Sequence, residues 1–148
     1  MKFFAAVVAL VAASVANAQV TWINCATAPD FTITSFKLSP YPLCVGKHVC
    51  VTATGLLSVP IIAPAALSIV GKYFGQTVLT DNHDLCVLLA AQGHPCPVPV
   101  TLTSISVCVL VKSSTPTDIP IILTVSATNG NGNTLLCQRG TVTATRGC

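Results

Sequence analysis

The segment that decides the fold runs from residue 33 to residue 57 and reads ITSFKLSPYPLCVGKHVCVTATGLL. Apolar and polar side chains alternate through its second half, from Lys47 to Leu57. One face carries Val49, Val51 and Ala53, and the other carries Cys50, Thr52 and Thr54. A period of two residues is typical of a β-strand with one buried face. Phe31 to Ser39, rich in Thr, Ile and Phe, predicts the preceding strand.

The same strand-and-turn pattern continues through the rest of the chain. Further strands are predicted at Ala65–Phe74, Gln76–Thr80, Val98–Val111, Ile119–Thr128 and Thr134–Ala144. Asp84–Gln92 is the only segment with a helical pattern, and the Asn/Gly run Asn129–Asn133 predicts a turn. About seven short strands separated by Gly, Pro and Asn turns favour an all-β fold, an antiparallel two-sheet β-sandwich.

The first 18 residues have the features of a secretory signal peptide. Lys2 is followed by an apolar run, and Ala16-Asn17-Ala18 supplies small residues for cleavage. A membrane anchor is the alternative, but the run is short for a bilayer span of about 20 residues. We therefore expect one mature domain, residues 19–148, in the extracellular space or the lumen of the secretory or vacuolar pathway.

Charged residues are scarce, at 7% of the chain against about 25% in ordinary soluble domains. They form no basic run that could neutralise a line of phosphates, which argues against nucleic-acid binding. Hydrophobic residues make up 52% of the chain. The apolar surface must therefore fold inward, and its excess hints at an interior that holds an apolar ligand.

Eight cysteines, all after residue 18, predict disulfides in a secreted chain. Cys44 and Cys50 bracket one turn, and Cys86 and Cys96 bracket another, so each couple is a candidate pair. Zinc and redox sites use C-x-x-C or paired histidines, and neither pattern occurs here. We therefore expect no metal and no cofactor.

Signals for catalysis are weak. G-x-S-x-G is absent. Asp81 and Asp84 lie near a turn and are interpreted as caps of the Asp84–Gln92 segment, with an acid–histidine dyad through His83 as the alternative. The chain is therefore not expected to be an enzyme.

Three segments, in this order, resemble the ML (lipid-recognition) domain family. They are ITSFKLSPYPLCVGKHVCVTATGLL at 33–57, YFGQTVLTDNHDLCVLLAAQGHPCPV at 73–98 and DIPIILTVSATNGNGNTLLC at 118–137. The resemblance covers roughly Cys25 to Ala144. The phosphatidylglycerol/phosphatidylinositol transfer proteins look nearest, and the Niemann–Pick type C sterol carriers are more distant.

The resemblance implies an immunoglobulin-like sandwich whose sheets stand apart around a lipid cavity. It also implies the disulfides Cys25–Cys137, Cys44–Cys50 and Cys86–Cys96. Cys108 and Cys148 depart from the six-cysteine pattern, and we expect them to bond to each other. The expected function is a monomeric carrier of a phospholipid or sterol that contacts membranes transiently. A secreted interaction module with a filled core is the alternative.

Strand alternation supplies the candidate wall residues of that cavity. The slim ones are Val49, Val51, Ala53, Val125 and Ala127; the bulkier ones are Phe36, Leu38, Leu67, Ile69, Tyr73, Leu102 and Leu123. Taken singly, each residue fits an ordinary closed core as well, and only the resemblance favours the cavity. The apolar loop residues Pro60, Ile61, Ile62 and Pro64 are candidates for membrane contact or for ordinary packing.

Overall fold

The computed structural model describes residues 19–148, so the predicted signal peptide lies outside the described residues. In chain order, the elements are β1 Ile23–Asn24, β2 Phe31–Ser39, β3 Leu43–Cys44, β4 His48–Leu57, β5 Ala66–Tyr73, β6 Gln76–Asp84, α1 Leu85–Ala91, β7 Ser104–Leu110, β8 Ile121–Thr128, β9 Thr134–Val142 and β10 Ala144–Thr145. No helix within this range is long and apolar enough to cross a lipid bilayer.

Two antiparallel sheets form the sandwich. The five-stranded sheet has the order β1-β9-β8-β5-β6, and the three-stranded sheet has the order β2-β4-β7. A short parallel ribbon of β3 and β10 links the chain after β2 with the chain after β9. The all-β sandwich expected from the alternating segments is therefore confirmed.

The two ends of the sandwich are held by different interactions. At one end, called the Asp30 end, the Asp30 carboxylate accepts hydrogen bonds from the side-chain amides of Asn129, Asn131 and Asn133 at 3.1, 3.1 and 3.4 Å. These bonds join the start of β2 to the β8–β9 turn. Gly130 is needed there, because a Cβ would lie 2.4 Å from the Ile62 carbonyl oxygen.

At the other end, called the Cys44 end, the β3–β10 ribbon is reinforced by a disulfide between Cys44 and Cys148. Both ends thus connect the three-stranded sheet to the five-stranded sheet. Between the ends, the sheets face each other through apolar side chains.

The predicted Val98–Val111 strand is wrong in its first part. Only Ser104–Leu110 is a strand. Val98 instead forms an isolated bridge with Ile61, and a turn follows in which the Leu102 amide donates to the Pro99 carbonyl. Pro99 has no N–H to donate to a sheet, which explains why the strand starts later.

The disulfide pattern agrees with the resemblance in two pairs and corrects it in the other two. Cys25 bonds to Cys137 and Cys86 to Cys96, as the resemblance implies. The expected Cys44–Cys50 and Cys108–Cys148 pairs are wrong, because Cys44 bonds to Cys148 and Cys50 to Cys108. Cys50 and Cys108 lie directly opposite each other on β4 and β7, with Cα atoms 4.0 Å apart. The ribbon pairs Thr145 with Cys44, and this pairing brings Cys148, three residues further on, close enough to bond to Cys44.

Candidate functional site

Two apolar cavities lie end to end between the sheets. The first is near the Asp30 end and the second near the Cys44 end. They share a layer of wall residues, namely Val51, Ile69, Val109 and Val125. Because they share these wall residues, the two cavities are neighbours along the strands, and together they are called the slot.

Strand alternation builds the walls of this slot. On β7, the residues Ile105, Val107 and Val109 point inward and are buried, and so is Val111, directly after the strand. The six residue steps from Ile105 to Val111 extend about 20 Å at the usual rise of a strand. The hydrocarbon part of one bilayer leaflet is about 15 Å thick, half of the roughly 30 Å core. The row of inward side chains is therefore somewhat longer than one leaflet is thick.

The slot is narrow in this structure. The two cavities have volumes of about 40 and 50 Å³. A water needs roughly 10–15 Å³ of such volume, so each cavity has room for only a few waters. A complete lipid therefore fits only if the sheets move apart.

Most of the predicted wall residues do line the slot. The first cavity is bordered by Phe36, Val51, Ala53, Leu67, Ile69, Val125 and Ala127, and the second adds Leu38, Val49 and Leu123. Tyr73 and Leu102 border neither cavity. Tyr73 lies at the end of β5, where its ring packs against the exposed Phe74. Leu102 lies in the turn before β7 and is half-buried.

Several wall residues were missed from the sequence. Ile61 was interpreted as a loop residue, yet it is 0% exposed and lines the first cavity beside Leu85 and Leu135. Leu85 and Leu89, four residues apart on α1, are both buried, and this spacing was the signal that α1 covers the slot. The membrane-contact hypothesis therefore fails for Ile61 but not for its neighbour Ile62, which is 39% exposed.

One lateral side of the slot, between β9 and β2, is closed by an aromatic pair. The Trp22 ring meets the Phe36 ring edge-on, with centroids 4.8 Å apart. Trp22 also packs on Gly140 of β9, where a Cβ would approach its ring to 2.9 Å. Since Phe36 belongs to β2 and Gly140 to β9, Trp22 fills the gap between the two sheets on this side.

The opposite side lies between the edge strands β6 and β7, and a polar cluster spans it. Asp81 is opposite Ile69 in the sheet, which puts its carboxylate on the inner face. Lys112, which follows β7, reaches Asp81 Oδ1 at 2.8 Å and donates to the Thr80 carbonyl at 3.0 Å. His83 Nε2 lies 2.7 Å from Asp81 Oδ2. The Asp81–Lys112 ion pair thus joins the edges of the two sheets.

The surroundings of Asp81 determine its protonation. Burial alone would raise the pKa of Asp81, but the hydrogen bonds and charges of Lys112 and His83 outweigh burial and hold this pKa below its ordinary value. Asp84, in contrast, caps α1 by accepting from the Val87 amide at 3.2 Å, as expected. Asp81 therefore holds the ion pair rather than capping the helix.

Thr115 is the remaining polar residue in the wall of the second cavity. It is 2% exposed, and its hydroxyl oxygen has no hydrogen-bond partner. Its loop is held in place by two bonds from the end of the chain: Arg146 donates to the Ser113 carbonyl at 3.1 Å, and the Asp118 amide donates to the Ala144 carbonyl at 2.9 Å. The second cavity thus combines apolar walls with Asp81, Lys112 and Thr115.

Comparison with known proteins identifies the family of this chain. The model of the ML domain matches residues 19–144. The chain belongs to the ML domain family. No curated protein sequence gives a match.

Solved structures similar to this ML domain share its fold at low sequence identity. A Niemann-Pick type C2 protein from Japanese carpenter ant has a TM-score of 0.67 and 12% identity, covering 84% of this chain and 99% of its own. Chicken MD-1 complexed with lipid IVa has a TM-score of 0.54 and 14% identity, covering 84% and 88%. The C-terminal domain of wzt has a TM-score of 0.50 and 12% identity, covering 87% and 80%.

The ion pair of Asp81 predicts a specific dependence of stability on pH. Because the pKa of Asp81 is lower in the folded state, its carboxylate stabilises the fold above the ordinary Asp pKa of about 3.9. This contribution is lost as the pH falls through the folded pKa. We expect Asp81→Asn to lower the free energy of unfolding at pH 7. Below about pH 4, the free energy of unfolding of this variant should decrease less than that of the wild type.

Urea unfolding of both proteins between neutral pH and about pH 2 measures this difference. Asp118→Asn, at an exposed carboxylate, is the matched control and should keep the wild-type profile. Identical acid profiles for Asp81→Asn and the wild type would contradict the assignment.

Proposed function

We propose that the protein binds a single lipid in the slot between its sheets and carries it between membranes, as a monomer of the extracellular space or secretory lumen. The observation that carries the proposal is the apolar slot, whose walls come from both sheets. Membership of the ML domain family supports it, as does the presence of lipid IVa in chicken MD-1. Four disulfides support an oxidising compartment.

The energetics of lipid transport require such a slot. Burying one methylene is worth about 0.8 kcal/mol, so exposing a chain of about fifteen methylenes to water costs roughly 12 kcal/mol. A carrier must offer the chain comparable apolar contact. The lining of the slot is apolar except at Asp81, Lys112 and Thr115, and therefore meets this requirement along most of its length.

Loading requires the sheets to separate, and the interactions on the two lateral sides differ. The β9–β2 side is filled by Trp22 against Phe36. The β6–β7 side is bridged by Lys112, whose side chain is 44% exposed and whose ion pair can exchange with water. We infer that the lipid enters between β6 and β7.

Filling the slot should abolish lipid uptake. Val125 borders both cavities, so Val125→Phe places a bulky ring at their junction. We expect at least a tenfold loss in uptake of a fluorescent phospholipid or sterol, with a cost in stability of about 1–3 kcal/mol from overpacking. Titration of the purified protein with the fluorescent lipid measures the loss.

Ile122→Phe is the matched control, because Ile122 lies on the same strand and faces solvent. It should load lipid normally. If Val125→Phe remains folded, as shown by circular dichroism, and still takes up lipid like the control, the binding site lies elsewhere.

We further propose that the loops at the Asp30 end contact the membrane during exchange. The Ile61–Val98 bridge aligns the segment Pro60–Pro64 with the segment Cys96–Val100. Ile62 and Val100 are 39% and 45% exposed on these segments, next to the exposed prolines Pro60, Pro64 and Pro99. These side chains supply apolar area that can enter a bilayer interface without a change of fold.

Placing a charge on this surface should slow lipid exchange without emptying the slot. We expect Ile62→Asp to reduce the rate of transfer between vesicles severalfold while the amount of lipid bound per chain is unchanged. Ile122→Asp, an exposed position at the Cys44 end, is the control and should transfer at the wild-type rate. Equal transfer rates for the two variants would place the membrane contact elsewhere.

A further inference from the structure

The Cys44–Cys148 disulfide differs from the other disulfides in what it connects. It joins the chain that leaves β2 of the three-stranded sheet to the chain that leaves β9 of the five-stranded sheet. The others lie within one sheet or close a local segment, namely Cys25–Cys137, Cys50–Cys108 and Cys86–Cys96. Within residues 19–148, Cys44–Cys148 is therefore the one disulfide that ties the two sheets to each other.

Few other bonds hold the chain together at this end. The Leu43 amide donates to the Thr143 carbonyl at 3.1 Å, and the Val45 amide donates to the Thr145 carbonyl at 3.0 Å. The Tyr41 hydroxyl accepts from the Thr143 amide at 3.2 Å. Without the disulfide, the β3–β10 ribbon would depend on these hydrogen bonds and on its own packing. Each such bond contributes little, because water offers the separated groups equivalent partners.

The ribbon also closes the slot at the Cys44 end. Leu43, the residue before Cys44, is buried and lines the second cavity. Its side chain is therefore part of a wall whose position the disulfide fixes. Movement of β3 away from β10 would displace Leu43 and open the second cavity at this end.

The two sulfur atoms of this disulfide differ in their access to solvent. Cys44 is 8% exposed, whereas Cys148 is exposed and the six other cysteines of the described chain are half-buried. Reduction of a disulfide begins with the attack of a thiolate on one of its sulfur atoms, and exposed disulfides are the labile ones in secreted proteins. Cys148 therefore carries the sulfur atom that is most open to attack.

We propose that Cys148 is a site of thiol–disulfide exchange and that Cys44–Cys148 is a clasp that a dithiol reductant opens. One thiolate of the reductant attacks the Cys148 sulfur and forms a mixed disulfide, while Cys44 leaves as a thiolate and takes up a proton. The second thiolate attacks the reductant's own sulfur in the mixed disulfide and releases Cys148, which also takes up a proton. The products are two cysteine thiols and the cyclic disulfide of the oxidised reductant.

Opening of the clasp loosens one end of the slot and leaves the rest of the fold in place. The three other disulfides and the ladders of both large sheets are unaffected. The inference rests on the proposed lipid-binding function and adds regulation of the same slot. Lipid exchanges slowly while the clasp is closed, as in an oxidising compartment, and faster once a dithiol has opened it.

Differential alkylation identifies the disulfide that opens first. The folded, oxidised protein is treated with increasing concentrations of dithiothreitol, and free thiols are then alkylated with N-ethylmaleimide in urea at acidic pH, which suppresses further exchange. We expect Cys44 and Cys148 to be labelled at a reductant concentration that leaves the other disulfides closed and the circular dichroism spectrum unchanged. Earlier labelling of another pair, or labelling of all eight cysteines in one step, overturns the proposal.

Transfer of lipid from the loaded protein to vesicles measures the effect of the clasp. The probes are dehydroergosterol and pyrene-labelled phosphatidylcholine, each followed separately. We expect Cys44→Ser/Cys148→Ser to transfer the probe that the wild type binds severalfold faster, with an unchanged amount bound per chain and no response to dithiothreitol. The wild type after selective reduction, which has folded with all its disulfides, should show the same acceleration.

Cys50→Ser/Cys108→Ser is the matched control, because it removes a disulfide that lies within one sheet. The two disulfides have sequence separations of 58 and 104, and the entropic stabilisation depends on the logarithm of loop length. The two double variants should therefore lose similar stability, but the control should transfer lipid at the wild-type rate. Equal acceleration in both variants would reflect general loosening and would overturn the clasp.

The remaining outcomes separate the clasp from the proposed function. Selective opening of Cys44–Cys148 without faster transfer overturns the clasp and leaves the carrier function standing. If the wild type takes up no lipid from vesicles, the proposed function fails, and the clasp fails with it as a regulator of lipid exchange.

Discussion

The attachment of the two sheets at their ends, and not across their middle, is the constraint on which the rest of the structure depends. At the Asp30 end, one carboxylate collects amide hydrogen bonds from three asparagines of the β8–β9 turn. At the Cys44 end, a ribbon and a disulfide join the chain after β2 to the chain terminus. Between these points, the inner faces meet through apolar side chains, and the Asp81–Lys112 ion pair is the polar contact described between the sheet edges.

Because the sheets are attached at their ends, the interior can widen by movement of one sheet away from the other. Separating the sheets on the β6–β7 side breaks apolar contacts, which are individually weak, and the Asp81–Lys112 ion pair, but it breaks no backbone ladder within either large sheet. Cys50–Cys108 and Cys25–Cys137 also lie within a sheet and do not resist separation. A bound lipid replaces the lost contacts with its own, at about 0.8 kcal/mol for each buried methylene. The narrow slot and a lipid-loaded form are thus compatible with the same fold.

The fold and most of the wall residues follow from local sequence pattern, whereas only the family resemblance predicts a cavity between them. Alternation in Phe31–Ser39 and His48–Leu57 identifies the strands and their inner faces, because a strand directs every second side chain inward. The two-residue strands β1, β3 and β10 carry no such pattern, and their pairing depends on residues far apart in the chain. The Cys44–Cys148 and Cys50–Cys108 pairs depend on that long-range pairing, which neither the short turn between Cys44 and Cys50 nor the resemblance reveals.

The polar part of the site was the least predictable. Asp81 and His83 are neighbours in sequence, but their role is set by Lys112, which reaches them from the other sheet. Thr115 has no local feature that distinguishes it from other threonines of the chain. Its burial without a hydrogen-bond partner at the wall of a cavity is apparent only in the folded chain. These polar residues come from β6, from the segment directly after β7 and from the loop of Thr115. Their proximity can be recognised only from the three-dimensional arrangement of these three parts of the chain.

The central claim is that the space between the sheets is occupied by lipid in the working protein. Mass spectrometry of organic extracts, made from protein purified from the expressing cells or their medium without added lipid, tests this claim most directly. The account predicts a single lipid species, or a narrow set, at close to one molecule per chain. Protein that yields no lipid, and that takes none up when incubated with vesicles, would contradict the account and indicate a sandwich with a closed core that acts through its surface.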